Sequence, residues 1–353
     1  MRVVVKVGTS SITNEVGEIN IESIRKICGE LLAARAEGHE VVLVTSGAIA
    51  AGLPALGLGG DARPKDAQTL QAVSAVGQGR LIATYNQVLA ELSDLVGGQV
   101  LIAPHDFMIR DQYLHARGTL DRLLELGVIP IVNENDAIAD DEIRFGDNDR
   151  IAALVAQLIG AEVLVLLTDA DGLLTADPRI DATASLIEDV LEIDQELLGL
   201  AGGSGTVRGS GGMVTKLQAA KIAAWTGVRT VIAASERTNV VRDSIDSVPG
   251  VGTIVWPQQR RLPARKVWIA FAVGISGSIE VDAGAEAALR LDSSLLAPGV
   301  YGHSGEFLAG DAVELVGPAG VVFAKGLVRC GAGELTAGQA SVVIHRDDLV
   351  VLS

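Results

Sequence analysis

At about 150 residues per domain, a chain of 353 residues points to two domains, or three, rather than one small module. Its 28 Lys and Arg against 44 Asp and Glu leave a net charge of −16, which works against holding a phosphate backbone by counterion release. Apolar residues make up 48% of the chain but aromatics only 3%, so the core must be built from Ala, Val, Leu and Ile, and platforms for base stacking are scarce.

The opening MRVVVKVGTS reads as a strand, because its apolar run is too short for the core of a signal peptide and Lys6 interrupts it. Cys28 shares a helical face with Ile21, Ile24, Leu31 and Leu32, and Cys330 lies far along the chain. That spacing suggests neither a disulfide nor a metal site, so core thiols in a reducing cytoplasm are the simpler account. The greasiest segment, 151–167, is broken by Gln157, Gly160 and Glu162 and falls short of the ~20 apolar residues of a bilayer span. It reads as a helix, a turn and a buried strand.

Strand-like runs at 3–7, 41–45, 100–103, 128–132, 163–168 and 230–233 alternate with helix-periodic stretches such as 21–35 and 113–126. Near-continuous β-branched runs of this kind belong to a parallel sheet covered on both faces. The expected fold class is therefore α/β, a three-layer sandwich with a mainly parallel central sheet. After Val255 the pattern changes. Trp256-Pro257 opens a polar stretch reaching toward Lys266, which reads as a linker. The expected division is 1–256, a linker over 257–265, and 266–353. In the last part, strands are predicted at 267–271, 278–281, 312–316, 321–328 and 341–344, with one helix starting near Asp282: a small, mostly-β barrel-like domain.

No phosphate-loop, dinucleotide, zinc-protease or serine-hydrolase signature occurs, so four common enzyme classes lose their support. Polar clusters instead sit at the carboxyl ends of predicted strands, where open α/β sheets bind ligands. In VKVGTS (5–10), Lys6 in an apolar strand is expensive to bury unless an anion neutralises it, and the Gly8 turn can offer amides to phosphate oxygens. The competing reading is an edge-strand lysine reaching water. In VTSGAIAAG (44–52), Ser46-Gly47 precedes a small-residue helix able to hold an anion, or simply caps it. The run 130–156 packs Asn133, Glu134, Asn135, Asp136, Asp147, Asn148 and Asp149 into two strand-end loops. Carboxylates there could grip an ammonium or magnesium while the amides take a carboxylate, as an amino-acid substrate requires; helix capping explains only Asp147 or Asn148. Thr168-Asp169 ends a very apolar strand and could seat a nucleotide's base and sugar. In GSGGMVTKLQAA (209–220), Ser210, Gly211 and Gly212 precede a helix carrying Lys216, a close backbone approach plus positive charge suited to polyphosphate; a flexible glycine linker is the alternative.

Taken in order, VKVGTS, VTSGAIAAG, NENDAI, GDNDRIAALVA, LLTDADGLLTADPR and GGMVTKLQAA resemble the amino-acid kinase family. The NENDAI and FGDND pair points to its glutamate-phosphorylating members. The C-terminal part resembles the PUA domain through Gly305, Phe307, Gly310-Asp311 and Ala324-Lys325-Gly326. The resemblance implies ATP-dependent phosphorylation of the side-chain carboxylate of L-glutamate, the first step of proline synthesis, with Mg2+, with proline as inhibitor and with a dimer or tetramer. It implies that Lys6, Lys216 and Asp149 carry the chemistry, Asp149 orienting the two lysines. Ser46, Asn133, Asp136, Asp147 and Asn148 would hold glutamate. Lys6, Gly8, Thr168, Asp169 and the stretch Ser210, Gly211, Gly212, Met213, Val214, Thr215 and Lys216 would hold ATP. Val214 stands where the family often has Ser, so only backbone contact is expected there. The residues that would bind the metal stay open.

Two alternatives stand beside this reading. One is another acyl-phosphate-forming kinase of the same fold. The other is RNA binding through the PUA-like domain, which its seven Lys and Arg against ten Asp and Glu from Arg261 onward disfavour. The segment 58–77, rich in glycine and charge, is a candidate proline-sensing loop or an ordinary surface loop.

Overall fold

The β-branched runs fold as the sequence pattern requires, into strands whose two faces are both covered. The structure, a computed structural model, describes the chain apart from residues 15–17, 59–62, 108, 139–147, 177–180, 182, 203–211, 259–261, 272, 339–340 and 353. The chain divides into two units, Met1–Arg261 and Leu262–Ser353.

The strands of the first unit are β1 (Arg2–Val7), β2 (Glu40–Thr45), β3 (Gly97–Ile102), β4 (Ile129–Glu134), β5 (Val163–Thr168), β6 (Asp189–Val190), β7 (Arg229–Ala234) and β8 (Thr253–Val255). They form one sheet in the order β3-β4-β2-β1-β5-β7-β8-β6. Every neighbouring pair is parallel except β7 with β8. The helices are α1 (Thr9–Ile12), α2 (Ile21–Ala36), α3 (Ala48–Gly52), α4 (Ala67–Leu92), α5 (Arg110–Glu125), α6 (Asn148–Leu158), α7 (Gln195–Gly202), α8 (Met213–Thr226) and α9 (Val240–Asp246). Val3, Val5 and Val7 of β1 pack with Ile24, Ile27, Cys28 and Leu31 of α2 and Leu81, Tyr85 and Val88 of α4. Val4 and Lys6 alternate to the other face of β1, and α6 packs on that strand as well as on α8.

Helix starts follow local chemistry. The Asn20 side chain accepts from the amides of Glu22 and Ser23, and the Asp66 side chain from that of Thr69. The Asp66 cap corrects the loop expected over 58–77: from Ala67 onward the chain is helical. Its glycine at 77 is there because α4 nearly touches α3. A Cβ on Gly77 would stand 1.8 Å from the Ala48 carbonyl oxygen, and one on Gly52 2.1 Å from that of Val73. Gly47, which precedes α3, has φ +100°, a left-handed conformation that favours glycine.

The second unit contains β9 (Ile275–Val281), β10 (Leu295–Leu296), β11 (Val300–Gly305), β12 (Ala312–Val316), β13 (Val322–Val328) and β14 (Val342–Val351), with α10 (Ala264–Phe271), α11 (Ala283–Arg290) and α12 (Ala332–Thr336). Its sheet runs β10-β14-β13-β12-β9-β11 around a core that includes Val281, Leu289, Phe307, Val313, Phe323 and Ile344. Asp282 caps α11, as expected. The strand predicted at 267–271 is instead the end of α10. A short apolar run such as VWIAF fits a strand or a buried helix by pattern alone. Here Val267, Ile269 and Ala270 are buried and the helix packs on β13 and β14.

Candidate active site

Parallel pairing brings the carboxyl ends of β1, β2, β4 and β5 to one edge of the sheet, and the polar clusters leave the strands there. Lys6, one residue from the end of β1, is only 4% exposed. Asp149, in the first turn of α6, is 1% exposed and stands between two cations. One carboxylate oxygen, Oδ1, lies 2.5 Å from Lys6 Nζ, and the other, Oδ2, lies 3.2 Å from Lys216 Nζ. Lys216 is itself buried, at the start of α8, and its neighbour Thr215 donates a hydrogen bond to the same Oδ2 at 3.1 Å. Three charges from strand β1 and helices α6 and α8 thus meet with a net charge of +1. Gly8 adjoins them, a Cβ there falling 3.5 Å from Lys6 Nζ.

One residue earlier in α6, Asn148 starts a second group. Its Nδ2 donates to Ser46 Oγ at 2.9 Å and to Asn133 Oδ1 at 3.1 Å. Asn133 Nδ2 donates in turn to Gln78 Oε1 at 2.6 Å, and Ser74 Oγ donates to Asp136 Oδ2 at 2.7 Å. Asn133, Asp136 and Asn148 are all buried. At the end of β5, the buried Thr168 donates to Oδ1 of the exposed Asp169, and Asp169 also acts electrostatically on Lys216. Gly212, Met213 and Val214 open α8, with Gly212 as its N-cap. Asp147, Ser210 and Gly211 lie outside the described residues.

The electrostatics separate the two groups. Burial pushes the Asp149 carboxyl up, but the ammoniums of Lys6 and Lys216 outweigh it and hold the group below the usual carboxylate range. Burial pushes Lys216 below its ordinary range, and Lys6 adds to this, against the opposing pull of Asp149. Asp136 moves the other way: burial raises it, and the Ser74 hydrogen bond only partly offsets the rise.

Residues 1–234 match the amino acid kinase family and residues 277–346 match the PUA domain. The chain is 43% identical to the glutamate 5-kinase of Caldanaerobacter subterraneus subsp. tengcongensis, covering 100% of this chain and 98% of the relative. It is 43% identical to that of Myxococcus xanthus, covering 99% and 96%, and 44% identical to that of Thermobifida fusca, covering 99% and 93%. The chain belongs to the amino acid kinase family, among its glutamate 5-kinases. Among solved structures, a carbamate kinase from Giardia lamblia bound to AMP-PNP shares 18% identity with a TM-score of 0.51, covering 73% of this chain and 98% of that one, which is a likeness of fold.

Within the architecture of the amino acid kinase family, sequence reasoning missed Ser74 and Gln78. They stand four residues apart on one face of α4, buried, each bonded to a member of the amide and carboxylate group. Polar residues at i and i+4 in a small-residue helix were the available signal, hidden because the loop reading of 58–77 took in Ser74 and stopped one residue short of Gln78. Membership of this kinase family implies ATP as a substrate. Among the described residues no group of three or more His, Cys, Asp or Glu could hold a metal ion.

Proposed function

We propose that this chain transfers the γ-phosphoryl group of ATP to the side-chain carboxylate of L-glutamate, giving L-glutamyl 5-phosphate, the first step of proline synthesis. The observation that carries the reading is Asp149 held between Lys6 and Lys216, next in sequence to Asn148, which bonds Ser46 and Asn133 in the second group. A carboxylate nucleophile is already ionised at neutral pH, so the reaction needs no general base. Its obstacle is the approach of two anions. Lys6 and Lys216 would offset that repulsion, and at an effective dielectric of ~20 a unit charge ~4 Å away is worth ~4 kcal/mol.

Asp149 holds both ammoniums in place without cancelling them, since two positive charges face one negative. The free amides at the start of α8 would take phosphate oxygens, aided by the helix dipole. Thr168 and Asp169 would meet the nucleoside. Ser46, Asn133, Asp136, Asp147 and Asn148 would hold glutamate, with Asp136 taking its ammonium. Magnesium, when bound, would neutralise charge on the transferring phosphoryl group.

The test is a hydroxylamine trap for the acyl phosphate, with glutamate compared against aspartate, N-acetylglutamate and carbamate. Glutamate should give the highest kcat/KM; a stronger signal from another acceptor would reassign the substrate. We extend the proposal to feedback by proline, to a dimer or tetramer, to a structural or regulatory role for the PUA domain and to a cytoplasmic setting, where the free buried thiols of Cys28 and Cys330 would stay reduced. Residues 59–62 of the candidate proline-sensing loop lie outside the described residues. Proline inhibition left unchanged by deleting 59–64 would remove that loop from the proposal. Salt-sensitive, submicromolar RNA binding by the full chain would overturn the role given to the PUA domain.

A further inference from the structure

The direction of every amide in the buried group can be deduced from one fixed point. The Glu134 backbone N–H can only donate, and it donates to Asn133 Oδ1 at 2.9 Å. The oxygen of Asn133 is therefore the end that faces Glu134, and its Nδ2 is the end that faces Gln78, where Gln78 Oε1 accepts at 2.6 Å. Asn148 also reaches the Asn133 oxygen, so the end of Asn148 that does so must be its donor, Nδ2. The same Nδ2 donates to Ser46 Oγ. What remains is Asn148 Oδ1, which is buried and accepts no hydrogen bond from any described residue. The network thus has an acceptor at its open end.

From this ordering we propose that Gln78 is a positioning residue that fixes substrate selectivity: by accepting from the Nδ2 of Asn133 it holds that amide in the direction the Glu134 N–H sets, in which Asn148 presents its oxygen rather than its NH2 to the amino group of the substrate. An acceptor there, together with the carboxylate of Asp136, matches an ammonium, whose three donors each need a partner. An NH2 in the same position would repel it. Ser74 does the parallel task for Asp136, occupying Oδ2 and leaving Oδ1 to the substrate. Both residues come from α4, four positions apart, and α4 is seated against α3 by the Gly77 and Gly52 contacts. The same packing sets Ser46, just before α3, and Gln78, on α4, at the two ends of one amide chain.

If Gln78 loses its acceptor, the buried Nδ2 of Asn133 is left without a partner and the amide turns to find one. Asn148 is then no longer obliged to point its oxygen outward. The inference rests on glutamate being the substrate, and the experiment keeps the two apart. Gln78→Leu removes the acceptor at similar volume, and kcat/KM is measured for glutamate and for glutarate, which lacks the amino group. The preference of the wild type for glutamate over glutarate should fall about tenfold or more, through KM for glutamate, while KM for ATP moves less than about threefold; one lost hydrogen bond to a charged group, about 1.5–3 kcal/mol, is a change of that size. A loss of folded enzyme would lower both acceptors equally and leave their ratio intact, so an unchanged ratio overturns the proposal. Should Gln78→Leu fail to fold, Gln78→Asn, which withdraws the acceptor by one methylene and keeps the polarity, is read in the same way. A wild type that forms no trapped acyl phosphate with glutamate would instead overturn the functional reading itself.

Discussion

Replacing Asp149 by Asn keeps the shape of the side chain and removes the one negative charge between two buried ammoniums. Lys6, Asp149 and Lys216 are 4%, 1% and 5% exposed, so water cannot take over the role of the lost carboxylate. Breaking a buried ion pair on one side costs about 3–5 kcal/mol, because the partner charge stays behind uncompensated. The lower end applies here, since Lys216 already lies below the ordinary lysine range and can shed its proton to relieve the repulsion. For a unit of this size each kcal/mol lowers the melting temperature by roughly 2–4 °C, so Asp149→Asn should melt about 6–12 °C below wild type at pH 7. Thermal unfolding followed by circular dichroism gives the comparison. Two further readings sharpen it. Raising the pH should narrow the gap, because the variant gains as an unpaired ammonium is neutralised while the wild type loses its ion pair. Tripolyphosphate should stabilise the variant more than the wild type, because it supplies the missing anion. A variant that melts within 2 °C of wild type, with no response to pH, would refute the account of the three charges.

Lys216→Ala should lower kcat by ~10² or more, the scale of losing one charged donor to the transition state, with the melting temperature used to check that the protein remains folded. Because burial holds Lys216 below its ordinary 10.5, kcat/KM for ATP should fall at alkaline pH before that value is reached, and Lys216→Arg should move the limb higher; a flat profile up to pH 10.5 would contradict this. Asp136 is shifted upward, so protonation should cost glutamate affinity at a pH above the ordinary 3.8, seen as an acid limb in kcat/KM for glutamate that Asp136→Asn abolishes. Gly77→Ala would drive a methyl into the Ala48 carbonyl, costing about 1–3 kcal/mol and raising KM for glutamate through displacement of Ser46, both measurable on purified protein.

Much of the fold was legible because its strands are buried on both faces and therefore read as unbroken β-branched runs; β1, β2, β5 and β7 lie within a residue of their predicted limits. The two-residue β6 and three-residue β8 were not legible, since so few residues carry no periodicity and their pairing is decided by the neighbouring strand. In α4, Gly77 and Ser74 lower helix propensity, and only the contact of Gly77 with α3 and the bond of Ser74 to Asp136 explain why they belong in a helix. In the site, Lys6 stood out as a charge inside an apolar strand, Asp149 as part of a run of carboxylates and amides before a helix, and Lys216 as a cation behind a run of glycines; that Asp149 joins the two lysines came only with the family resemblance. Gln78 did not, because its meaning lies in the direction of a hydrogen-bond chain that runs through three other elements.

The Gly77 contact also acts as a fulcrum. Helix α4 extends fifteen residues beyond it to Leu92, about 22 Å at 1.5 Å per residue, toward the outer strand β3, whereas Ser74 and Gln78 sit within one turn of it. A tilt of about 5° around that point swings the far end by about 2 Å and moves Gln78 by only about 0.1 Å. That long arm is itself held by Leu81, Tyr85, Val88 and Leu89 in the core, so the short arm keeps the substrate pocket still on both counts.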